Sequence, residues 1–229
     1  MKKIKKPTKT KKVESSADNF KILNDRDHVR LRKGVYIPDI NYTVYELIDN
    51  GMDEHTRGYG NELELSINKD RVVRVRDYGR GLPIEQSEDE PDCTIGELCL
   101  SRLRAGTKFE SSGKTGGLNG LGSSAINFLC EYFKVWIIKE DGKNYYMEFE
   151  KGLIKEKLHE IEPLYDKSVT IIECLPDPEM CEDLDDFNIN EINKRMKQLC
   201  YLNPGIKITV DIEYDNHNIH EIYDFPEGV

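Results

Sequence analysis

Three short stretches of this chain carry residue types whose spacing suits chemistry on a charged ligand. In the first, Glu46-x-x-x-Asn50-x-x-Asp53-Glu54, helical periodicity puts positions 46, 50 and 53 on one face. A carboxylate there can activate water, and a carboxamide oxygen can hold a hard cation such as magnesium, which keeps several of its waters and needs few protein ligands. The plain alternative is a solvated helix face. The second is Asp77-x-Gly79-x-Gly81, directly after a strand-like run. Its glycines let the backbone turn sharply and approach a ligand with no Cβ in the way. An aspartate at a strand end can accept a hydrogen bond from an amino group such as that of adenine; the alternative is a β-turn with a capping Asp. The third is Gly116-Gly117-Leu118-Asn119-Gly120-Leu121-Gly122, which runs into a helix. Free backbone amides beside a helix N-terminus suit a polyphosphate, and Lys108 and Lys114 add positive charge nearby. A surface loop this rich in glycine carries a heavy entropy cost unless something orders it.

Two familiar nucleotide motifs fail or fit poorly. Gly113-Lys114-Thr115 would close a P-loop, but the register then demands glycine where Lys108 stands. Gly120-x-Gly122-x-x-Ala125 matches a dinucleotide fingerprint, yet the buried strand that must precede it is replaced by Ser111-Ser112-Gly113-Lys114-Thr115-Gly116-Gly117.

The elements that must hold these stretches follow from hydrophobic periodicity. Val44, Leu47, Ile48 and Met52 predict a helix over 42–56. Leu63, Leu65 and Ile67 alternate with polar residues, Asn68-Lys69-Asp70 makes a tight connection, and Val73 and Val75 return, so a hairpin delivers Asp77. Helices are expected from Thr94 to Arg104, from Ser123 to about Tyr132 and from Asn190 to Tyr201; the last stops at Asn203-Pro204-Gly205. Strands are expected at 133–138, 144–149, 169–174, 206–213 and 219–223. Helices mixed with antiparallel-leaning hairpins, without strict βαβ alternation, predict an α+β sandwich with helices covering one face of the sheet.

Composition bounds the partners. The chain has 229 residues, 38% hydrophobic and 33% charged, enough for one sizeable core. Its net charge is −10, yet residues 1–12 hold seven lysines and no acid, which leaves −17 on the remainder. An acidic body lacks the clustered cations of a broad nucleic-acid footprint. Residues 1–19 read as a disordered lysine-rich tail and 20–229 as one domain. No run is apolar enough to span a membrane, and the lysine-rich start lacks a signal peptide's apolar core. Six cysteines without a C-x-x-C pair read as reduced, mostly buried thiols.

Taken together, the three stretches resemble the GHKL (Bergerat-fold) ATPases in order and spacing. More closely, the chain resembles the ATPase domain of type IIA topoisomerase B subunits, the gyrase and topoisomerase IV group. Tyr45-Glu46-Leu47-Ile48-Asp49-Asn50-Gly51-Met52-Asp53-Glu54, Asp77-Tyr78-Gly79-Arg80-Gly81-Leu82-Pro83, Arg104-Ala105-Gly106-Thr107-Lys108-Phe109, Gly116–Gly122, Ser168-Val169-Thr170-Ile171-Ile172 and Leu202-Asn203-Pro204-Gly205 carry the likeness. It implies a two-layer sandwich, a mixed, mostly antiparallel sheet under helices, that binds and hydrolyses ATP with Mg2+. Glu46 would be the general base and Asn50 the metal ligand. Asp77 would read the adenine amino group, with Thr170 near it through water. Gly79, Gly81, Pro83 and Ile84 would wall the base, and Glu54 with Arg80 would form a rim ion pair. Lys108, Lys114, Gly117, Leu118, Asn119, Gly120, Leu121 and Gly122 would cradle the phosphates.

The same resemblance implies a topoisomerase A subunit and DNA as partners of the full-length enzyme, a homodimer formed on ATP binding, and a cytoplasmic location without membrane contact. Mismatch-repair MutL and chaperone ATPases are the alternatives within the superfamily. A nucleotide-binding regulatory module without turnover is the alternative outside it. Departures from the family pattern are a short segment between Asp39 and Tyr45, Asn119 in place of a usual histidine, and Tyr146 where an arginine at the mouth of the base pocket is usual. The chain is also expected to end near the start of a transducer domain, whose lysine contacts the γ-phosphate, so feeble hydrolysis is expected of it alone.

Overall fold

A computed structural model describes residues 22–105, 122–164, 167–181, 184, 186–214 and 216–227. In chain order the elements are α1 (Asp25–Leu31), α2 (Lys33–Tyr36), α3 (Asn41–Thr56), β1 (Glu62–Ile67), β2 (Val73–Asp77), α4 (Ile95–Ser101), α5 (Gly122–Phe128), β3 (Cys130–Ile138), β4 (Asn144–Glu150), β5 (Leu153–Ile161), β6 (Val169–Pro176), α6 (Pro178–Cys181), α7 (Ile189–Leu202), β7 (Lys207–Tyr214) and β8 (His217–Asp224). Eight strands form one sheet in the order β5-β4-β3-β6-β2-β1-β7-β8. Every neighbouring pair is antiparallel except β1 with β7.

One sheet face is apolar and the other polar, as the period-2 side-chain pattern of strands requires. Val73 and Val75 of β2, Ile172 and Cys174 of β6, and Phe133, Val135 and Ile137 of β3 point inward in register and are buried. Helices cover that face: α3 lies over β1 and β2, α5 over β3, and α7 over β7 and β8. The opposite face is crossed by ion pairs, among them Arg76–Glu64, Lys207–Glu62 and Arg74–Glu173. A small second cluster of Ile138, Val169 and Ile171 sits there with Trp136 and Tyr78. The expected α+β sandwich is therefore the observed fold.

Three local expectations change. The helix expected to reach Tyr132 ends at Phe128, because Cys130 to Ile138 is an aromatic and β-branched run that pairs with β4 on one side and β6 on the other. The helix expected to reach Arg104 ends at Ser101, and Arg104 takes a positive φ of 60°. Strand β5, Leu-Ile-Lys-Glu-Lys-Leu-His-Glu-Ile, has no counterpart among the expected strands. It is an edge strand, exposed along most of its length, and so lacks clean alternation. Among the described residues no helix is long and apolar enough to cross a membrane. The expected lysine-rich tail lies outside the described residues.

Candidate functional site

The site is built where α3 crosses the sheet. Val44, Leu47 and Ile48 bury one side of this helix, which turns Glu46 and Asn50 toward its partly open flank. Asp53, on the same face one turn later, is buried. The crossing is close because of Gly51. A Cβ there would collide with the side chain of Leu63 and lie 3.1 Å from the Cβ of Asp77. Glycine thus brings the turn that carries Asn50 against the end of β2, where Asp77 stands.

At the other end, α5 starts against the same helix. The Asn50 amide donates to the Glu46 carbonyl at 2.8 Å and to Ser123 Oγ at 2.7 Å. Both of its N–H groups are spent inside the protein, so what Asn50 can offer a ligand is its carbonyl oxygen, a hard donor. Gly122, the first residue of α5, lies so close to Glu46 that a Cβ would overlap its carboxylate. Glu46 and the glycine-rich stretch therefore meet at Gly122. Among the described residues no group of three or more His, Cys, Asp or Glu is placed to hold a metal ion. A magnesium bound through the Asn50 oxygen, its own waters and phosphate oxygens fits this donor set, because it needs no such cluster.

Asp77 anchors the far side. It pairs with Thr170 across β2 and β6, and its carboxyl accepts from the Gly79 amide at 3.1 Å. Protein surrounds the Asp77 carboxyl on most sides, although the residue as a whole is only part-buried. This burial pushes its pKa up to about 6 against the pull of the Gly79 amide and the nearby Thr170 hydroxyl, and Glu54 adds to the rise. A carboxylate kept in so dry a place has unspent capacity to accept a hydrogen bond.

The loop after Asp77 is pinned from several directions. Gly81 has a φ of +77°, and a Cβ there would stand 3.0 Å from Ile137 and 3.6 Å from Thr170 Oγ1. Arg80 grips Glu54 through two bonds of 2.9 Å and lies over the Tyr59 ring at 3.9 Å. Burial raises the Glu54 pKa, but the bonds from Arg80 outweigh it and hold the carboxyl below the usual range. The Glu54–Arg80 ion pair is thus formed. Pro83 accepts from the Gly96 amide at 3.0 Å, which ties the loop to α4, and Ile84 packs against the main core.

Three residues that sequence reasoning missed also hold the site, two of them this loop. Ser168 Oγ donates to the Gly79 carbonyl at 3.1 Å, and Lys139 Nζ donates to the carbonyls of Arg80 and Leu82. Ser123, which fixes Asn50, is the third. Ser168 opens a stretch that carries the family likeness, but a lone lysine after a strand gives no sequence signal. One expectation is corrected: Tyr146 is not at the mouth of the base pocket. It pairs with Trp136 on the face of the sheet turned away from Asp77 and Thr170, where its ring meets Trp136 at a tilt and His159 edge-on and its hydroxyl donates to Glu148. The strand alternation requires this, because Tyr145 pairs with inward-facing Ile137. Lys108, Lys114, Gly117, Leu118, Asn119, Gly120 and Leu121 lie outside the described residues.

Residues 37–153 match the family model described as histidine kinase-, DNA gyrase B- and HSP90-like ATPase. The chain belongs to this ATPase family. The matched range holds Glu46, Asn50, Asp77, Gly79, Gly81 and Gly122, while Thr170 lies beyond it. The chain is 34% identical over 223 residues to the type 2 topoisomerase B subunit of Aquifex aeolicus, covering 94% of this chain and 27% of that protein. It is 33% identical over 221 residues to the DNA gyrase B subunit of Staphylococcus aureus, covering 93% and 34%. The 43K ATPase domain of Thermus thermophilus gyrase B, solved in complex with an aminocoumarin, superposes with a TM-score of 0.76 at 26% identity, over 90% of this chain and 53% of that one. The chain is homologous to the ATPase domain of these proteins and spans about a third or less of the curated relatives' length.

Proposed function

We propose that this ATPase-family domain binds and hydrolyses ATP on behalf of a type II DNA topoisomerase, as a B subunit of the gyrase or topoisomerase IV kind. The observation that carries the reading is the approach of α3 at Gly51. It sets Glu46, Asn50 and the start of α5 at one end of a site whose other end is Asp77. The purine amino group would donate to the Asp77 carboxylate, with Gly79, Gly81, Pro83 and Ile84 around the base and the Glu54–Arg80 pair at its rim. Gly122, and by family resemblance Lys108, Lys114, Gly117, Leu118, Asn119, Gly120 and Leu121, would hold the phosphates.

Glu46 orients the attacking water and takes its proton. Asn50 would hold Mg2+ through its carbonyl oxygen, and that ion supplies neutralisation of the phosphate charge. Phosphoryl transfer of this kind depends on positioning and charge and needs no covalent intermediate. In the whole enzyme the partners would be a second copy of this subunit, the topoisomerase A subunit and DNA, in the cytoplasm, with ATP coupled to strand passage.

The test pairs two assays on wild type and on Glu46→Ala: binding of a non-hydrolysable ATP analogue with magnesium, and phosphate release by the full-length protein. Loss of a general base typically costs about 10²–10⁴ in rate. The variant should release phosphate at least about a hundredfold more slowly and still bind the analogue within about threefold of wild type. Equal loss of both would refute the role of Glu46. Binding by wild type with no release would favour a regulatory module.

A further inference from the structure

We infer that Lys139 is a positioning residue for base recognition, an inference that rests on the reading of the Asp77 pocket as the purine site. Its ammonium donates to the carbonyls of Arg80 at 3.2 Å and Leu82 at 2.8 Å, one on each side of Gly81. Gly81 is the left-handed residue of the loop, and the place its Cβ would occupy is 3.4 Å from Lys139 Nζ and 3.0 Å from Ile137. The cation thus sits directly beneath the turn and fastens it to the end of β3.

The two carbonyls that Lys139 takes belong to the residues flanking the wall of the pocket. Arg80 reaches outward to Glu54, and Leu82 leads into Pro83 and Ile84. Without the clamp, Gly81 is the most pliant point of the loop, and nothing else bonds those two carbonyls among the described residues. The Gly81 segment between the Ser168–Gly79 and Gly96–Pro83 bonds can then shift against Asp77 and Thr170, and that distance sets how well a purine edge meets the carboxylate. The nitrogen is half-buried; burial draws its pKa down, against the pull of Glu85 and Asp141. A lysine held as a fixed point charge on backbone oxygens suits such a clamp. Glu46 and Asn50 stand on a different element, so the clamp acts on recognition and leaves the chemical step alone.

The experiment uses the full chain as wild type, Lys139→Met, Lys139→Arg and Asp77→Ala. It measures binding of the non-hydrolysable imido analogues of ATP and GTP with magnesium, steady-state phosphate release, and the melting temperature. Loss of the charge-assisted bonds should weaken binding of the ATP analogue about tenfold in Lys139→Met. The preference over the GTP analogue should narrow, KM for ATP should rise by a similar factor, and kcat should stay within about twofold. Lys139→Arg, which keeps the donors, should return binding to within about threefold of wild type. The inference is overturned if Lys139→Met binds the ATP analogue like wild type while Asp77→Ala does not, a result that leaves the purine reading intact. It is also overturned if both analogues and kcat fall together with the melting temperature and arginine fails to rescue. If Asp77→Ala binds the ATP analogue as well as wild type, the purine reading itself falls, and the inference with it.

Discussion

The raised pKa of Asp77 sets stability against binding, and the conflict can be measured. Its carboxyl has been moved from 3.8 to about 6, chiefly by burial. At roughly 1.36 kcal/mol per unit, that displacement amounts to about 3 kcal/mol. The sign follows from linkage. A folded pKa above the unfolded one means that the folded state holds the proton more tightly, so the contribution is fully present below about pH 4 and is lost as pH rises through about 6. At neutral pH the ionised carboxyl therefore destabilises the fold. Asp77→Asn keeps an acceptor for the Gly79 amide and removes the charge. Calorimetry of the two proteins should give equal melting temperatures near pH 4. The gap in favour of asparagine should open through pH 6, to roughly 6–12 °C above pH 7 for a domain of this size. Binding should run the other way. A purine amino group needs the ionised form, of which about a tenth remains at pH 5. Wild-type affinity for an ATP analogue should therefore fall about tenfold between about pH 7 and pH 5 beyond any fall seen in Asp77→Asn. The asparagine protein carries the phosphate's own titration and serves as the reference. Parallel pH profiles in the two proteins, for melting or for binding, would refute the reasoning.

Two further changes test the scaffold. Gly51→Ala puts a methyl group into the side chain of Leu63 and should cost about 1–3 kcal/mol, seen as a lowered urea midpoint with little change in slope. Its nucleotide affinity should fall as well, since α3 must lift away from Asp77. Glu97 is buried and accepts from the Thr94 amide at 2.7 Å, closing the capping box of α4, and from the Leu158 amide of β5 at 2.8 Å. Glu97→Ala leaves both amides without that acceptor and should destabilise by about 3 kcal/mol, with faster hydrogen exchange at Leu158; unchanged exchange there would show that the edge strand does not depend on this carboxylate.

How much of this was legible in the sequence depended on whether the signal was local. The periodicity around Leu47 and Ile48, the hairpin alternation into Asp77 and the glycines at 79 and 81 each report the backbone they need within a few residues. The Glu54–Arg80 pair was reached through family resemblance. Features that rest on distant partners were opaque. Strand β5 pairs at the sheet edge and is anchored by Glu97, some sixty positions away along the chain. The parallel pairing of β1 with β7 joins residues 62–67 to 207–212, and no composition announces it. Lys139 and Ser123 acquire meaning only because Gly81 and Asn50 arrive beside them in space. Tyr146 was misplaced for the complementary reason: a position inferred from resemblance says nothing of which sheet face a side chain takes, and the alternation of β4 decides that.

The same logic explains why the site sits where it does. A helix rich in Glu, Asn and Asp gains little by lying on an apolar sheet, and α3 does so through one stripe, Val44, Leu47, Ile48 and Met52. Gly51 draws it closest at the one place where β2 ends and the sheet face turns from Val75 to Asp77. Packing thus holds a helix with a half-exposed acid and amide against a strand end whose carboxylate is costly to bury. The buried carboxylate of Asp77 is unfavourable on stability grounds, and a ligand that donates to it while meeting the hard oxygen of Asn50 relieves that cost. A nucleotide with an amino group at one end and a metal-bound phosphate at the other has that shape. A carboxylate held at such a burial cost beside an acid and an amide on a facing helix is expected of a binding site and not of a structural core.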